Sequence, residues 1–370
     1  MPIGSNGGMG QDIMKTVLLG MSGGVDSTVS AMLLRRAGYS VTGITFIMTD
    51  QMLPSCGSAS AAAAAARVAA EIGIPHVTLD IRDRFKQRVI DNFTSVYLGG
   101  GTPNPCVECN RHIKFPEMLA YADAHSIDMI ATGHYASISR DASGYHLITP
   151  TDIAKDQTYF LYTLDQATLS RLIFPLAGLT KSEVRGLAAN DHSSAAEKKD
   201  SQDICFIPDG DYKAFAAHEI DTLPPPGDFV DTAGRVLGRH TGIQNYTPGQ
   251  RRGLGISADR PLYVCRIDAG DNRVVLSGEE MLYRSSIMIK QTTFISGKFP
   301  TEPFCAQVST RYTKRRSQAT VAPVDVALGI YKIDFILPER APAPGQSAVF
   351  YSDRELLGGG IILRDDEISG

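Results

Sequence analysis

Two stretches of the sequence combine residue types that could do chemistry. The first, GMSGGVDS at residues 20–27, places two adjacent glycines, two serines and an aspartate directly after the apolar run TVLL. Gly23 and Gly24 can adopt backbone angles closed to other residues, and the N–H groups at the start of a following helix attract anions. The GxxxxGK[ST] pattern is absent, so this is not a Walker-type P-loop. The stretch favours a phosphate site over a plain polar turn, and Asp26 beside a phosphate would need Mg²⁺ between the two anions.

The second stretch, TPNPCVECNRHIKF at residues 102–115, carries Cys106 and Cys109, and Cys205 follows much later in DSQDICFI. Its Pro-Asn-Pro opening predicts a loop rather than a helix or a central strand. Half of a zinc site or a thioredoxin-like pair are alternatives, but no second CxxC or paired histidine completes a zinc site. Sulfur transfer would use all three thiols, because one could carry or attack sulfur and another resolve the intermediate. The other cysteines have no partner motif and are predicted to be small buried hydrophobes: Cys56, Cys265 and Cys305.

The bulk composition is that of a globular cytoplasmic protein of more than one domain. The chain has 370 residues, is 43% hydrophobic and carries a formal net charge of −4. No apolar run is long enough for a membrane span, and residues 1–15 lack the apolar core of a signal peptide and are expected to form a disordered tail. In a cytosolic chain the cysteines are better explained by catalysis or metal binding than by a disulfide framework. The net charge does not exclude a nucleic-acid partner, because the clustering of cations matters more than their sum.

The order of elements predicts an α/β fold. Up to about residue 135, short apolar runs alternate with helix-compatible stretches, which is typical of βαβ units and a doubly wound parallel sheet. The Pro-rich segment 221–229 marks a break, and short strand-like pieces with frequent turn signals follow it. The sequence thus predicts a parallel-sheet domain at 16–210 and two smaller, mostly β domains at 211–285 and 286–370, the last a β-barrel.

The motifs together resemble one family. SGGVDS is similar to the signature of the PP-loop ATP pyrophosphatases (adenine nucleotide alpha hydrolase-like), which split ATP into AMP and pyrophosphate. Taken with TPNPCVECNRHIKF, ATGHYA, KDQTYFLYTL, DSQDICFI, GQRRGLGI and PGQSAVFY, the chain resembles the tRNA-specific 2-thiouridylases from about residue 16 to its end. The resemblance implies ATP-dependent adenylation of the 2-oxo group of the wobble uridine. A cysteine persulfide then supplies the sulfur of 2-thiouridine.

The resemblance also implies roles for individual residues. Cys109 matches the nucleophile and Cys205 the persulfide-bearing cysteine, and the two are expected to form a transient disulfide. The positions matching ATP contacts are Gly20, Met21, Ser22, Gly23, Gly24, Val25, Asp26, Ser27, Phe46 and Gly133. The positions matching contacts with tRNA or its target base are Asn104, Pro105, Cys106, His134, Lys155, Asp156, Gln157, Arg311, Tyr312 and Gln346. Two basic clusters, Arg251-Arg252 and Lys314–Arg316, fit contacts with the phosphate backbone.

One position departs from the family pattern. Cys106 stands where many members have Asp, so the chain offers three thiolates that could hold a [4Fe–4S] cluster: Cys106, Cys109 and Cys205. Two mechanisms therefore remain open, attack by a Cys205 persulfide or by cluster-bound sulfur. The expected cofactors are ATP and Mg²⁺, with the cluster as an alternative.

The expected partners are tRNAs of the Lys, Glu and Gln type and an upstream sulfur donor, such as a cysteine desulfurase or a sulfur relay protein. Three other functions stay open. A PP-loop amidotransferase or synthetase would share residues 20–27 but would need an ammonia source, and no glutaminase-like domain is visible. The second alternative is a thiolase for another RNA position. The third is a non-catalytic module that binds tRNA or an iron–sulfur cluster.

Overall fold

A computed structural model describes residues 14–50, 57–190, 204–207, 210–220 and 222–368. The expected tail at 1–15 lies outside these residues except for its last two, and so does Cys56. None of the helices in the described ranges is long and apolar enough to cross a membrane.

The N-terminal part contains a five-stranded parallel sheet whose order is β3-β2-β1-β4-β7. Its central strand β1 is the apolar run that the sequence predicts, and Val17, Leu18 and Leu19 are fully buried there. The bounds of the strands are β1 Thr16–Gly20, β2 Ser40–Ile47, β3 His76–Asp80, β4 Met129–Thr132 and β7 Leu172–Ile173. The doubly wound parallel sheet is therefore confirmed.

Helices connect and flank these strands. Two of the connections contain a single π-helical turn, at Lys86–Ile90 between α3 and α4 and at Asn110–Lys114 between α5 and α6. The helices are α1 Val25–Arg36, α2 Ala59–Ile72, α3 Arg82–Phe85, α4 Asp91–Leu98, α5 Pro105–Cys109, α6 Phe115–Ala124, α7 Gln166–Ser170, α8 Lys181–Asn190 and α9 Tyr212–Glu219. The Ala-rich run forms the close-packed α2, which Ser58 caps by accepting a hydrogen bond from the Ala61 N–H.

The strand order sets the position of a ligand crevice. From β1 the chain first builds outward through β2 and β3, and it then crosses to the other side of β1 to form β4. Parallel sheets of this kind bind ligands at the carboxyl ends of the strands on either side of such a reversal. The segments that follow Gly20 and Thr132 lie at that edge.

Two further sheets follow. The first is a small sheet of order β10-β11-β8-β9 around Phe229, Val264 and Val274, which are buried. Its strands are β8 Gly227–Val230, β9 Val236–His240, β10 Tyr263–Asp268 and β11 Arg273–Ser277. The sequence did not indicate β8, because the Pro-rich segment preceding it hides the short apolar run.

The second is a six-stranded antiparallel barrel, closed by pairing of β12 with β17. The strands are β12 Tyr283–Phe294, β13 Phe304–Ser309, β14 Ser317–Asp325, β15 Ile330–Arg340, β16 Ser347–Ser352 and β17 Glu355–Ile362. A Cβ atom at Gly358 would lie 2.2 Å from the Thr293 carbonyl oxygen, so glycine permits the closing strands to approach. The β-barrel at the end of the chain is confirmed.

A hairpin from the N-terminal half extends this barrel. β5 (Ser137–Asp141) and β6 (Gly144–Ile148) pair with each other, and β6 continues the barrel sheet by pairing with β17. His146 adds hydrogen-bond contacts of 2.6 Å to Glu355 and 3.0 Å to Asp141. The sequence analysis did not predict this hairpin. The domain boundaries at 210/211 and 285/286 stay predictions.

Candidate active site

The predicted phosphate loop connects β1 to α1 at the carboxyl edge of the sheet. Gly23 has φ +68°, and a Cβ atom there would lie 3.0 Å from the backbone nitrogen of Ala65. Gly24 is the N-cap of α1 and has no side chain to accept a hydrogen bond from the first turn. The N–H groups of that turn lack intrahelical acceptors, so they can bind an anion.

The two serines brace the loop. The Ser22 N–H donates to Ser27 Oγ at 3.3 Å, and Ser27 Oγ donates to the Gly24 carbonyl oxygen at 3.1 Å. The Thr45 hydroxyl on β2 donates to the carbonyl oxygen of the buried Met21 at 2.7 Å. The loop is therefore fixed at both of its ends before any ligand arrives.

Asp26 is held by two donors that the sequence analysis did not single out. Lys181 Nζ donates to both carboxylate oxygens at 2.8 Å, and the Tyr135 hydroxyl donates to Oδ1 at 2.9 Å. The sequence signal for Lys181 was the run Thr180–Glu183, since threonine followed three residues later by glutamate is a helix-start signature. Neither donor could be matched to Asp26 without the fold.

Gly133 lies directly against the loop. A Cβ atom at Gly133 would lie 3.1 Å from the carbonyl carbon of Asp26 and 3.2 Å from the nitrogen of Ser27. The end of β4 thus approaches the start of α1 so closely that a side chain at Gly133 would require one of them to shift. Phe46 is buried in β2, in the same hydrophobic cluster as Leu18, and its expected contact with a nucleotide stays a prediction.

The expected loop around the paired cysteines is partly wrong. Residues Pro105–Cys109 form the short helix α5, with Pro105 in its first turn. Proline is tolerated there because the N–H that it lacks would have no intrahelical partner. Burial raises the pKa of the half-buried Cys106 thiol, although the nearby Lys114 charge opposes the shift. Cys109 is 9% exposed and belongs to the main hydrophobic cluster.

Cys205 contacts the same hydrophobic cluster as Cys109. The neighbouring Phe206 is buried and meets the rings of Phe85 and Phe93 edge-on, at centroid distances of 5.3 and 5.8 Å. The fold therefore brings the two cysteines to one cluster despite their separation in sequence. The segments on either side, 191–203 and 208–209, lie outside the described residues.

The three thiols do not form a ligand set for a metal in this conformation. Cys106, Cys109 and Cys205 are all described, yet nowhere in the described ranges do three His, Cys, Asp or Glu side chains converge as metal ligands. The residues present therefore do not fit a [4Fe–4S] cluster as arranged. The prediction of small buried thiols is also wrong for Cys305, which is exposed, and Cys265 is only half-buried.

His134 follows Gly133 at the same edge. Its Nδ1 lies 2.8 Å from the Thr132 hydroxyl, and its ring lies between Phe115 and Phe174 at centroid distances of 6.1 and 6.2 Å. Burial, aided by the Lys114 charge, holds the pKa of His134 well below its usual range. The imidazole is neutral at physiological pH, so it can offer a hydrogen bond but no positive charge.

Two of the KDQ residues have internal partners. Gln157 Oε1 accepts a hydrogen bond from the Tyr135 N–H at 2.9 Å. Asp156 accepts one from the Thr158 N–H at 2.9 Å and one from Arg316 at 3.0 Å. Lys155 is half-buried and lies next to them.

The barrel residues expected to contact tRNA also have structural roles. Arg311 donates to the carbonyl oxygens of Arg340 and Ala341, at 2.7 and 2.9 Å. Tyr312 is 50% exposed and packs on the ring of Phe160 at a centroid distance of 4.4 Å. Burial raises the pKa of the Tyr312 phenol, and the charges of Asp156 and Cys106 add to the shift.

Gln346 reaches the cysteine segment itself. Its side-chain amide donates to the carbonyl oxygens of Thr102 and Pro103, just before Asn104. Of the two basic clusters, Arg251, Arg252, Lys314 and Arg315 are exposed.

Three family models match successive parts of the chain. They are described as tRNA methyl transferase HUP domain, tRNA methyl transferase PRC-barrel domain and aminomethyltransferase beta-barrel domain, and they match residues 15–209, 213–278 and 284–362. A protein of Syntrophomonas wolfei subsp. wolfei named tRNA-specific 2-thiouridylase MnmA is 44% identical over 94% of this chain and 100% of its own length. Proteins of the same name from Clostridium acetobutylicum and Acidithiobacillus ferrooxidans are 42% and 40% identical over 94% of this chain, and the matches cover 99% and 98% of those proteins.

Proposed function

Because the chain belongs to the family of tRNA-specific 2-thiouridylases, we propose that it replaces the 2-oxo group of the wobble uridine in tRNA by sulfur. The observation that carries the proposal is the position of α6, which continues from the cysteine helix α5. A Cβ atom at Gly20 would lie 3.5 Å from the sulfur of Met118 in α6, and the Phe115 ring of the same helix lies 6.1 Å from the ring of His134, centroid to centroid. The helix that continues from the cysteine helix thus contacts the edge of the sheet where the phosphate loop lies, which supports ATP-dependent sulfur transfer.

The first step activates the uridine. The loop from Gly20 to Ser27 binds the phosphates of ATP, the uracil O2 attacks the α-phosphorus, and the bond to the β-phosphate breaks as pyrophosphate leaves. Asp26 is the residue of the loop that would hold Mg²⁺, since carboxylate oxygens are its preferred protein ligands. When bound, Mg²⁺ would offset phosphate charge. Adenylation turns the 2-oxo group into a leaving group.

The second step transfers sulfur. The terminal sulfur of a Cys205 persulfide attacks C2, and the C–O bond to AMP breaks with its electron pair leaving on AMP. The Cys109 thiolate then attacks the Cys205 sulfur, and the S–S bond breaks so that its electron pair remains on the sulfur bound to C2. The products are 2-thiouridine and a Cys109–Cys205 disulfide, which a thiol reductant reopens. The family resemblance supports this pairing, because Cys109 matches the nucleophile and Cys205 the persulfide-bearing cysteine.

The persulfide route is favoured over the cluster route by the arrangement of the thiols. A [4Fe–4S] cluster on three cysteines needs their sulfurs to converge, and within the part of the chain that the structure describes they do not. The persulfide route needs only Cys109 and Cys205. Cys106 then takes the place of the family Asp, in the segment with Asn104 and Pro105 that lines the flipped base.

The tRNA lies across the parallel-sheet part and the barrel in this proposal. The uridine must leave the anticodon stack to reach Cys109, at a cost of a few kcal/mol that backbone contacts offset. Tyr312 offers an exposed ring for stacking, and Lys314 and Arg315 offer exposed charges for phosphates. His134 and the KDQ residues would contact tRNA nearby. The preferred tRNAs would be those for Lys, Glu and Gln, with a cytosolic persulfide carrier as sulfur donor.

The test is 2-thiolation of an unmodified tRNA transcript with ATP and a persulfide donor, under anaerobic conditions. Wild type and Cys106→Asp are compared, each loaded with iron and freed of it. We expect both to work without iron. Cys109→Ser and Cys205→Ser should lose at least about a hundredfold in thiolation yet keep tRNA-dependent pyrophosphate release. If only the iron-loaded wild type thiolates tRNA, the persulfide route is wrong and the cluster route replaces it. If neither protein thiolates tRNA under any of these conditions, the proposed function is overturned.

A further inference from the structure

The phosphate loop has a cationic partner of its own. Lys181 Nζ lies 2.8 Å from each carboxylate oxygen of Asp26, and the Lys181 side chain is only 12% exposed. Its ammonium also lies 5.9 Å from the centre of the Tyr135 ring, and the Tyr135 hydroxyl donates to the same carboxylate. A largely buried ammonium has thus been placed beside the first turn of α1.

That location is electrostatically unfavourable for a lysine without an anion. Lys181 is the first residue of α8, and Asp26 lies in the first turn of α1. The amino ends of both helices carry positive partial charge, which repels a cation and attracts an anion. Asp26 offsets this repulsion. The same potential would attract a phosphate more strongly, since a phosphate carries more negative charge than one carboxylate.

The backbone of Lys181 is held firmly. Thr180 and Glu183 form a reciprocal cap, in which the Thr180 N–H donates to Glu183 at 2.7 Å and the Glu183 N–H donates to the Thr180 hydroxyl at 3.3 Å. The Lys181 N–H donates to Asp152 at 2.9 Å. The first turn of α8 is fixed in this way. The flexible side chain of Lys181 can therefore shift its ammonium by a short distance while the helix stays in place.

We propose that Lys181 is a phosphate-binding residue of this active site, and that its ammonium contacts both Asp26 and the phosphoryl oxygens of bound ATP. As the bond from the uracil O2 to the α-phosphorus forms and the α–β bond breaks, the electron pair leaves on pyrophosphate. The ammonium offsets the charge that develops there and keeps its proton throughout. The inference rests on the proposed function, because it assigns a residue to the same ATP site.

The test compares binding of ATP, pyrophosphate and AMP to wild type, Lys181→Met and Lys181→Arg by titration calorimetry. We expect Lys181→Met to weaken the binding of ATP and pyrophosphate at least about tenfold, while AMP changes less than about threefold. Lys181→Arg should keep most of the affinity. Lys298→Met is the matched control, since Lys298 is exposed on the barrel, and it should bind ATP like wild type.

A second variant separates phosphate binding from simple neutralisation of Asp26. Lys181→Met leaves a carboxylate without its main partner, whereas the double variant Asp26→Asn/Lys181→Met removes that charge as well. The reference for the double variant is Asp26→Asn alone, because Asp26 is also the residue proposed to hold Mg²⁺. If Lys181 only stabilises the loop, these two variants should bind pyrophosphate equally, and the inference is overturned. A further loss of pyrophosphate affinity in the double variant relative to Asp26→Asn, with an unchanged melting temperature, supports it. If the wild-type protein binds no ATP, both the proposed function and this inference are overturned. If Lys181→Met binds ATP as tightly as wild type, only this inference is overturned.

Discussion

The side-chain amide of Gln346 donates hydrogen bonds to the carbonyl oxygens of Thr102 and Pro103, at 3.2 and 2.8 Å. The backbone adds a bond from the Thr102 N–H to the Pro344 carbonyl oxygen, at 2.7 Å. The barrel thereby holds the peptide that leads into α5 and its two cysteines. The last sheet of the chain is therefore part of the support of the cysteine segment.

Replacing Gln346 by leucine should loosen that segment. Two hydrogen bonds are lost, and each contributes about 1 kcal/mol to local stability. We expect amide exchange at Thr102 and Asn104 to speed up at least about fivefold, and kcat/KM for tRNA to fall severalfold with ATP affinity unchanged. Gln318→Leu, on an exposed barrel position, is the control. Normal exchange rates at these amides in Gln346→Leu would contradict the supporting role.

Adding one methyl group at Gly133 should disturb the ATP site. The new Cβ would lie 3.1 Å from the backbone carbon of Asp26, so the loop or β4 must shift. We expect Gly133→Ala to raise the Kd for ATP about tenfold, measured by calorimetry. Gly178→Ala is a matched control, because a Cβ there meets no atom within 4 Å. Equal ATP affinity in the two variants would show that the contact with the loop is unimportant.

His134 should make the fold sensitive to acid. Its folded-state pKa lies well below the usual value near 6.5, whereas the unfolded chain takes up a proton at about that pH. The unfolded state thus binds more protons as the pH falls below about 6.5, and stability falls. Relative to His134→Gln, wild type should lose about 1 kcal/mol of unfolding free energy between pH 8 and pH 5.5 in urea titrations. Parallel pH profiles of the two proteins would count against a buried neutral imidazole.

The residues of the basic run Lys314–Arg316 should have two different functions. Lys314 and Arg315 are exposed, whereas Arg316 pairs with Asp156 and lies 3.5 Å from the centre of the Tyr351 ring. Lys314→Ala/Arg315→Ala should weaken tRNA binding and reduce the slope of log K against log salt by about 1 to 2. Its melting temperature should not change.

Arg316→Ala should instead destabilise the fold by about 2–3 kcal/mol, because it leaves Asp156 buried without its cation. Urea titration measures this loss, and filter binding at several salt concentrations measures the slope. If the double variant keeps the wild-type slope, the exposed pair does not contact phosphate. If Arg316→Ala is as stable as wild type, the ion pair is only incidental.

Much of the fold could be predicted from local pattern. The strand around Leu18 is apolar throughout because both of its faces are buried, and the glycines after it indicate a strand-to-helix loop. The barrel strands β16 and β17 also lie in the stretch where the sequence predicts short strands. For such elements, the period of the apolar residues and the residue types at the turns are enough to predict the secondary structure.

The rest depends on contacts between distant residues. The sequence analysis predicted a loop at Pro105, but a proline is compatible with both a loop and the first turn of a helix. Only the packing of Val107 and Cys109 selects the helix. Lys181 could not be matched to Asp26, because one side chain in a helical pattern carries no sign of its partner. The roles of Gln346 and Arg311 as anchors of backbone carbonyls were hidden for the same reason.

The hairpin β5–β6 has a consequence for synthesis of the protein on the ribosome. Its outer partner, β17, begins only at Glu355, so the β6 edge stays without that neighbour until all the residues between them have been made. At ordinary translation rates this interval is on the order of ten seconds or more. A chain released early would expose a strand edge and lack the support at Thr102. Products that stop before β17 would therefore be prone to aggregation and would lack the hold of the barrel on the cysteine segment.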